Sequence, residues 1–573
     1  AAATILGGSD ATADGVRILA GAPGAGALVV NNGTIEGTVG VDFQSGTSPA
    51  AGTLTNNGLI ASSSGVSGNA VVFGRGAERL LLQAGGAFIG GVVGGTPAGS
   101  STTLELAGGT EGSLTGLASN SGTVTDSAGS FAFSAIGTIA LDSGAAWTIV
   151  APGTLSTLDN AGALSIAGGS VTVTGSLTNS GSLAVGGGTL TAATGLLADP
   201  GVITVGAGGL LQASGGGIAA AGTPDIEVGG GAASTLDVTG AGATVNSGQY
   251  RLAIGSTGNG SVLVSQGGTI LAATKFAADE AITVGGSSGA TGALTVNGFG
   301  SKLAGTGQLS VGFGGNGSLL IENQATATTG GNTVDKSQGF EAGQLGGGSG
   351  DVTVTGAKSL LSNTGRFVIG DAGFGSLSIQ AGGTVITSPG TVAGLAGAVV
   401  ASLASGSGSS VNVTGAGSNW QVGGSLVVGG AGAGSLSITN GATVTAATLD
   451  AGIVVGSSGI LTVAGASADL TTTGTLSVGD GGSGELSILN GANVNIGGDF
   501  NIGQTAGGSG NVDIEDATGT VFVGGNLNLG AGGPAVLTVG PTSTLRVDNG
   551  GINAGPNAAL NLYTAIDPIF ANG

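Results

Sequence analysis

The chain has 573 residues, of which 128 are Gly, 3% are aromatic and 7% are charged, so any core must be narrow and built from small aliphatic side chains. Cys, Met and His are absent, which excludes a disulfide scaffold, soft metal ligation and nucleophiles that depend on His. The net charge of -21, from 31 acids against 10 bases, argues against nucleic acid and anionic membrane as partners.

A Gly-rich chain of low charge could be a disordered polymer, but 40% hydrophobic residues are spread through it as short alternations, without a collagen period. The start, from Ala1 to Thr4, has neither a basic region nor an apolar one, so a signal peptide is expected to have been removed already. The N-terminal part, residues 1–223, is the less regular. LVVNNGTIEG (28–37), GTLTNNGLIA (52–61), LSTLDNAGALSIAGG (155–169) and SLTNSGSLAVGGGTL (176–190) alternate apolar with polar residues and break at Asn or Gly. Each reads as short strands with one buried face, closed by turns.

From 224 to 550 the same elements recur with a period. LDVTGAG, LTVNGFG, VTVTGAK, VNVTGAG, LTVAGAS and VDIEDAT form a first signature, whose marker glycines Gly240, Gly298, Gly356, Gly415 and Gly465 lie 58, 58, 59 and 50 residues apart. Asp516 takes the sixth place, 51 residues on. A second signature ends at Gly255, Gly312, Gly370, Gly429, Gly479 and Gly530, and a third is clearest as GSLSITNGATV (434–444) and GELSILNGANV (484–494). Three short strands closed by turns in a fixed period favour stacked coils over a sandwich or barrel, at about three coils per unit. The fold expected is all-β, a right-handed parallel β-helix continuous over most of the chain, with residues 551–573 as an end or cap segment. No apolar run approaches the roughly 18 residues of a membrane span; the nearest is Thr391 to Ala404.

GSLSITNGATV and its relatives resemble the repeat shared by type V secretion (autotransporter) passengers and certain exported bacterial surface proteins. GNAVVFGRGAERLLLQAGGAFIGGVVGG (68–95) and SGAAWTI (143–149) resemble passenger sequence too. The resemblance implies a right-handed parallel β-helix exported to the outer surface of a bacterium. It does not fix an activity, because adhesins, aggregation factors, proteases and esterases share the architecture. The membrane barrel of that family is not recognisable in the sequence.

The acids are the remaining candidates for chemistry. Asp513 and Glu515 share one strand face about 7 Å apart, with Asp516 beside them, a spacing compatible with inverting glycoside hydrolysis or a hard cation. Val512 and Ile514 must point inward, however, which places the acids on a solvated outer face, where the equivalent residues are Asp237, Thr295, Thr353, Asn412 and Thr462. GGGSGD ending at Asp351 and GDGGSGE (479–485) faintly resemble calcium-binding glycine-rich repeats, but the acid recurs too irregularly for a ladder of ions. GFGGNG (312–317) lacks the βαβ context of a dinucleotide site, and Lys358-Ser359 lacks the glycine of a phosphate loop. Trp147 and Trp420 read as packed corners before sugar platforms.

No enzyme, cofactor or metal is expected. The expected role is an extracellular structural or adhesive rod that binds itself or host, cell-surface or matrix ligands. A subunit of a head-to-tail filament is the alternative, and a polysaccharide-acting enzyme the second. Extra residues within Lys275–Ala281, Thr333–Ala342 and Ser388–Val400 predict an interaction ridge carrying Lys275, Phe276, Asp279, Glu280, Asp335, Lys336, Phe340 and Glu341. An end-to-end contact would use Leu560, Leu562, Tyr563, Ile566, Ile569 and Phe570.

Overall fold

Alternation along a strand sends successive side chains to opposite faces, so a three-residue run such as Leu-Ser-Ile commits its aliphatics to one side. A computed structural model describes residues 4–7, 13–18, 26–43, 51–96, 98–150, 152–194, 196–198, 201–213, 224–248, 251–273, 280–330, 339–388, 396–515 and 520–563. Among these there is no α-helix, only two single 3-10 turns, Gly65–Ser67 and Ala404–Gly406. The chain is a parallel β-helix: short strands turn through three faces and stack, nearly all in parallel, on the coil before. It divides into two compact units, one of residues 1–220 with 232–248, the other of 221–231 with 249–573.

In the second unit each coil runs from a long strand on face I, through a strand on face II, to a three- or four-residue strand on face III. The coil from Ser458–Ala464 through Asp469–Thr472 to Leu476–Val478 is typical. The next coil begins 25 residues on, Ser458 pairing with Ser483 and Leu461 with Leu486. Inward positions stack like on like. Leu436, Leu461, Leu486 and Val512 form one column and Ile438, Val463, Ile488 and Ile514 the next, all at most 2% exposed. Burial of each such side chain contributes about 1.5–3 kcal/mol.

The 58-residue repeat comprises two coils, not three. Its first and third signatures are both face I strands and the second is a face III strand, so two face I strands mark two turns. Coils of unequal length alternate: Asn259 pairs with Thr291 and Asn316 with Ser349, but Thr291 pairs with Asn316 and Ser349 with Phe374. The extra length falls mainly between faces II and III. Thr269–Ala272 precedes Ile282–Val284, Thr326–Thr329 precedes Phe340–Ala342, and Thr384–Thr387 precedes Ala398–Val400, whereas Thr443–Ala446 is followed at once by Thr448–Ala451.

The first unit uses the same turn with a shorter coil. On face III Thr138 pairs with Thr157, Leu158 with Leu177 and Leu177 with Leu196, a step of 19 residues. Its strand-ending asparagines point inward and form ladders: Asn31 Nδ2 donates to Asn56 Oδ1 at 2.8 Å and Asn160 Nδ2 to Asn179 Oδ1 at 2.7 Å. Asn31 and Asn56 also accept from the backbone N–H two residues on, closing the turn. One element departs from the all-parallel expectation. Glu111–Ala118, Ser121–Asp126 and Gly129–Ser134 form an antiparallel meander, whose second turn is capped by Asp126 accepting from the N–H groups of Ala128 and Gly129.

Candidate functional site

Face I presents outward columns of polar residues. In the second unit Thr353, Ser378, Asn412, Ser437, Thr462, Ser487 and Asp513 follow one another coil by coil. Asp513 and Glu515 stand on this outer face, because Val512 and Ile514 are fully buried on the inner one. Asp516 lies outside the described residues. Asp351 and Glu485 occupy strand positions on face I, where Asp351 accepts from Ser376 Oγ at 2.5 Å, while Asp480 lies in the bend that precedes Ser483–Leu489. Gly312 to Gly317 is a corner running into the strand Asn316–Glu322. Among the described residues no group of three or more Asp or Glu is placed to hold a metal.

Both tryptophans are buried. Trp147 donates its indole N–H to Thr110 Oγ1 at 3.0 Å, and Trp420 packs against Phe367 with ring centroids 6.2 Å apart. Leu560, Leu562 and Tyr563 are 40%, 45% and 66% exposed, while Ile566, Ile569 and Phe570 lie outside the described residues.

Lys275, Phe276, Asp279, Asp335 and Lys336 also lie outside the described residues. The other three residues assigned to the ridge are buried instead. Phe340 points inward and stacks on Phe367 at 4.6 Å. Alternation then sends Glu341 outward, yet it is only 1% exposed, and Glu280 is 7% exposed. On three successive coils the outward residues are Thr283, Ser310 and Glu341, paired in register and all buried.

Side chains from the corners close over this column. Gln308 Nε2 donates to Gln344 Oε1 at 3.4 Å, Gln344 Nε2 donates to Glu280 Oε1 at 3.3 Å, and Glu280 faces Arg251 at 3.8 Å. Thr283 Oγ1 and Ser310 Oγ have no hydrogen-bond partner. Burial pushes the Glu341 carboxyl up to about 8, with Asp371 raising it further; Arg366 lowers it, Glu280 raises it and the Gln308 amide lowers it. The first unit has a related group. Glu78, 3% exposed, points inward between Gly52 and Thr102, and burial raises it to about 7 against a backbone hydrogen bond from Gly52.

Sequence reasoning missed this column because the alternation that places Glu341 outward ordinarily implies exposure. A signal was present in the face III triplets, where ITV, LSV and FEA carry Thr, Ser and Glu at one position in successive coils.

Comparison with known proteins finds no matching family model and no matching curated protein. Among solved structures, the crystal structure of a TibC-catalyzed hyper-glycosylated TibA fragment is similar at 15% identity and a TM-score of 0.31, over 68% of this chain and 94% of the fragment.

Proposed function

We propose that the protein is an extracellular structural or adhesive protein of a bacterial surface, working by binding and not by catalysis. The observation that carries this reading is the outward column of face I, which offers hydroxyl and amide groups at one position in coil after coil, from Thr353 to Ser487. Each group is a weak contact, but a series at fixed spacing binds a repetitive partner with the strength of many contacts at once. Such a partner is a polysaccharide, a matrix polymer or a second copy of the chain. The longer connections between faces II and III are a further contact surface in this reading.

The test is a series in which Ser378→Glu, Ser437→Glu and Ser487→Glu are introduced one, two and three at a time. Retention of protein-coated beads on polysaccharide and matrix arrays, and on each other, is then measured. Adhesion should fall in steps as coils are changed. Complete loss from a single substitution would point to one discrete site, and an unchanged triple variant would remove face I from the function.

A further inference from the structure

Each coil of the second unit turns from face III to face I through a corner, and from Gly343 onward these corners alternate in length. The long ones carry a four-residue turn: the N–H of Gly348 donates to the carbonyl of Leu345, Gly406 to Leu403, Ser457 to Val454 and Gly508 to Thr505. The short ones between them lie flat on the coil before, Gly373 donating to the carbonyl of Gly343, Gly432 to Ala401 and Gly482 to Gly452. The edge is therefore toothed, with a tooth on every second coil, about 9.6 Å apart, and a notch of Gly and Ala between. The teeth are apolar. Leu345 and Leu403 are 45% and 46% exposed, Val454 and Val455 43% and 78%, and Phe374 and Ile460 stand beside them on face I at 40% and 42%. Among the described residues of this unit ahead of Ala558–Leu562, the other exposed large apolar side chains are Leu271 and Phe299. A row of exposed aliphatics concentrated on one edge, next to the polar columns of face I, marks a contact surface.

We propose that this edge pairs with the same edge of a second copy of the chain, running antiparallel about a two-fold axis. Tooth and notch alternate with the rise of the coil itself, a spacing that a second copy of the edge reproduces. With the two copies offset by one coil, Leu403 of each enters the notch from Gly430 to Gly432 of the other, and Val455 of each meets Ala372 and Gly373 of the other. Every contact is thus made twice, as a two-fold interface requires. The charge pattern fits the same register. A chain of net charge -21 repels itself, and the central notch from Gly430 to Gly432 carries no acid. Asp371 and Asp480, which precede the outer notches, interact with Glu341 and Asp450 of face III. The contact uses a few side chains from each copy, so it is weak between free molecules and gains strength where many copies are held side by side. This edge is separate from the polar columns of face I, and the pairing stands whether or not those columns bind anything.

Sedimentation equilibrium of the whole chain from about 1 μM to about 1 mM tests the pairing. The wild type should pass from monomer to dimer over this range, and at lower concentration in about 500 mM than in about 50 mM NaCl, because salt screens the repulsion between copies. Leu403→Asp and Val455→Asp should each weaken the dimer on the order of tenfold or more, since each places a charge in an apolar contact. The chain has no Cys, so cross-linking reads the register directly. A mixture of Val455→Cys and Ala372→Cys should give a dimer with a short bismaleimide that neither variant gives alone, because in the proposed pair each position lies three coils from its own counterpart. A wild type that stays monomeric throughout would overturn the pairing, as would a dimer indifferent to both Asp substitutions. Cross-linking of Val455→Cys to itself in place of Ala372→Cys would overturn it too. All these positions lie at the surface, and the cross-link gives its answer even if an Asp substitution prevents folding.

Discussion

Two residue types carry strain or charge that this fold has to accommodate, and both give measurable consequences. Every face III strand of the second unit from Pro224–Val228 to Leu527–Leu529 is followed by a residue with positive φ; Gly479, at φ 72°, is typical, and a Cβ there would lie 2.0 Å from the carbonyl oxygen of Ser509 in the next coil. Gly479→Ala is therefore expected to cost about 2–3 kcal/mol, read as a lower urea midpoint. The turn after the first signature supplies the converse. Gly300 and Gly417 have φ near 81°, but Lys358 holds the same place at φ 68°. Lys358→Gly should stabilise by about 1 kcal/mol, since only the side chain makes that conformation costly. Glu78 gives the first unit a pH dependence. The folded state keeps its proton up to about pH 7 and the unfolded carboxyl releases it near 4.5. Its contribution is thus full below pH 4.5, declines as pH rises and is gone above about 7. Thermal melts of the first unit should show a loss on the order of 2 kcal/mol between pH 5 and 8 that Glu78→Gln abolishes; a pH-independent wild type would refute it.

At the scale of elements, the first unit replaces part of the aliphatic stack with asparagine ladders. Asn160 Nδ2 donates both to Asn179 Oδ1 and to the carbonyl of Ser182, and Asn179 Nδ2 donates to the carbonyls of Gly181 and Val202. These bonds fasten three coils at the corner between faces III and I. Removing them strands buried carbonyls, so Asn179→Ala should cost about 1–3 kcal/mol, more than its small volume change implies. Chemical denaturation monitored in the first unit would show this, and a neutral result would mean that water replaces the amide without loss.

For the molecule as a whole, coils contact mainly their neighbours, so stability is close to a sum of coil and interface terms. Superimposed on that sum is the repulsion of a net charge of -21. Long-range repulsion between exposed acids is screened within about 10 Å at 0.1 M salt. The melting temperature should therefore rise as NaCl increases from about 10 to 200 mM, with KCl equivalent to NaCl. A melting temperature insensitive to salt would show that the acids are too dispersed to repel one another appreciably.

The sequence by itself determined the strands, the buried side of each and the period at which they recur, because alternation and glycine-closed turns are local properties that need no partner to be read. Val512 and Ile514 inward with Asp513 and Glu515 outward, and the corner glycine of Leu-Ser-Val-Gly479, all follow from such local rules. Only the tertiary structure decided how many turns a period makes, since signatures one and three look different in sequence yet lie on the same face. It also decided that the strands from Glu111 to Ser134 run antiparallel, a choice made by which neighbour each strand meets. The candidate site belongs to this second class. Alternation sets the direction of Thr283, Ser310 and Glu341, but their burial is a tertiary property, in a region where Gln308, Gln344 and Glu280 from separate coils meet.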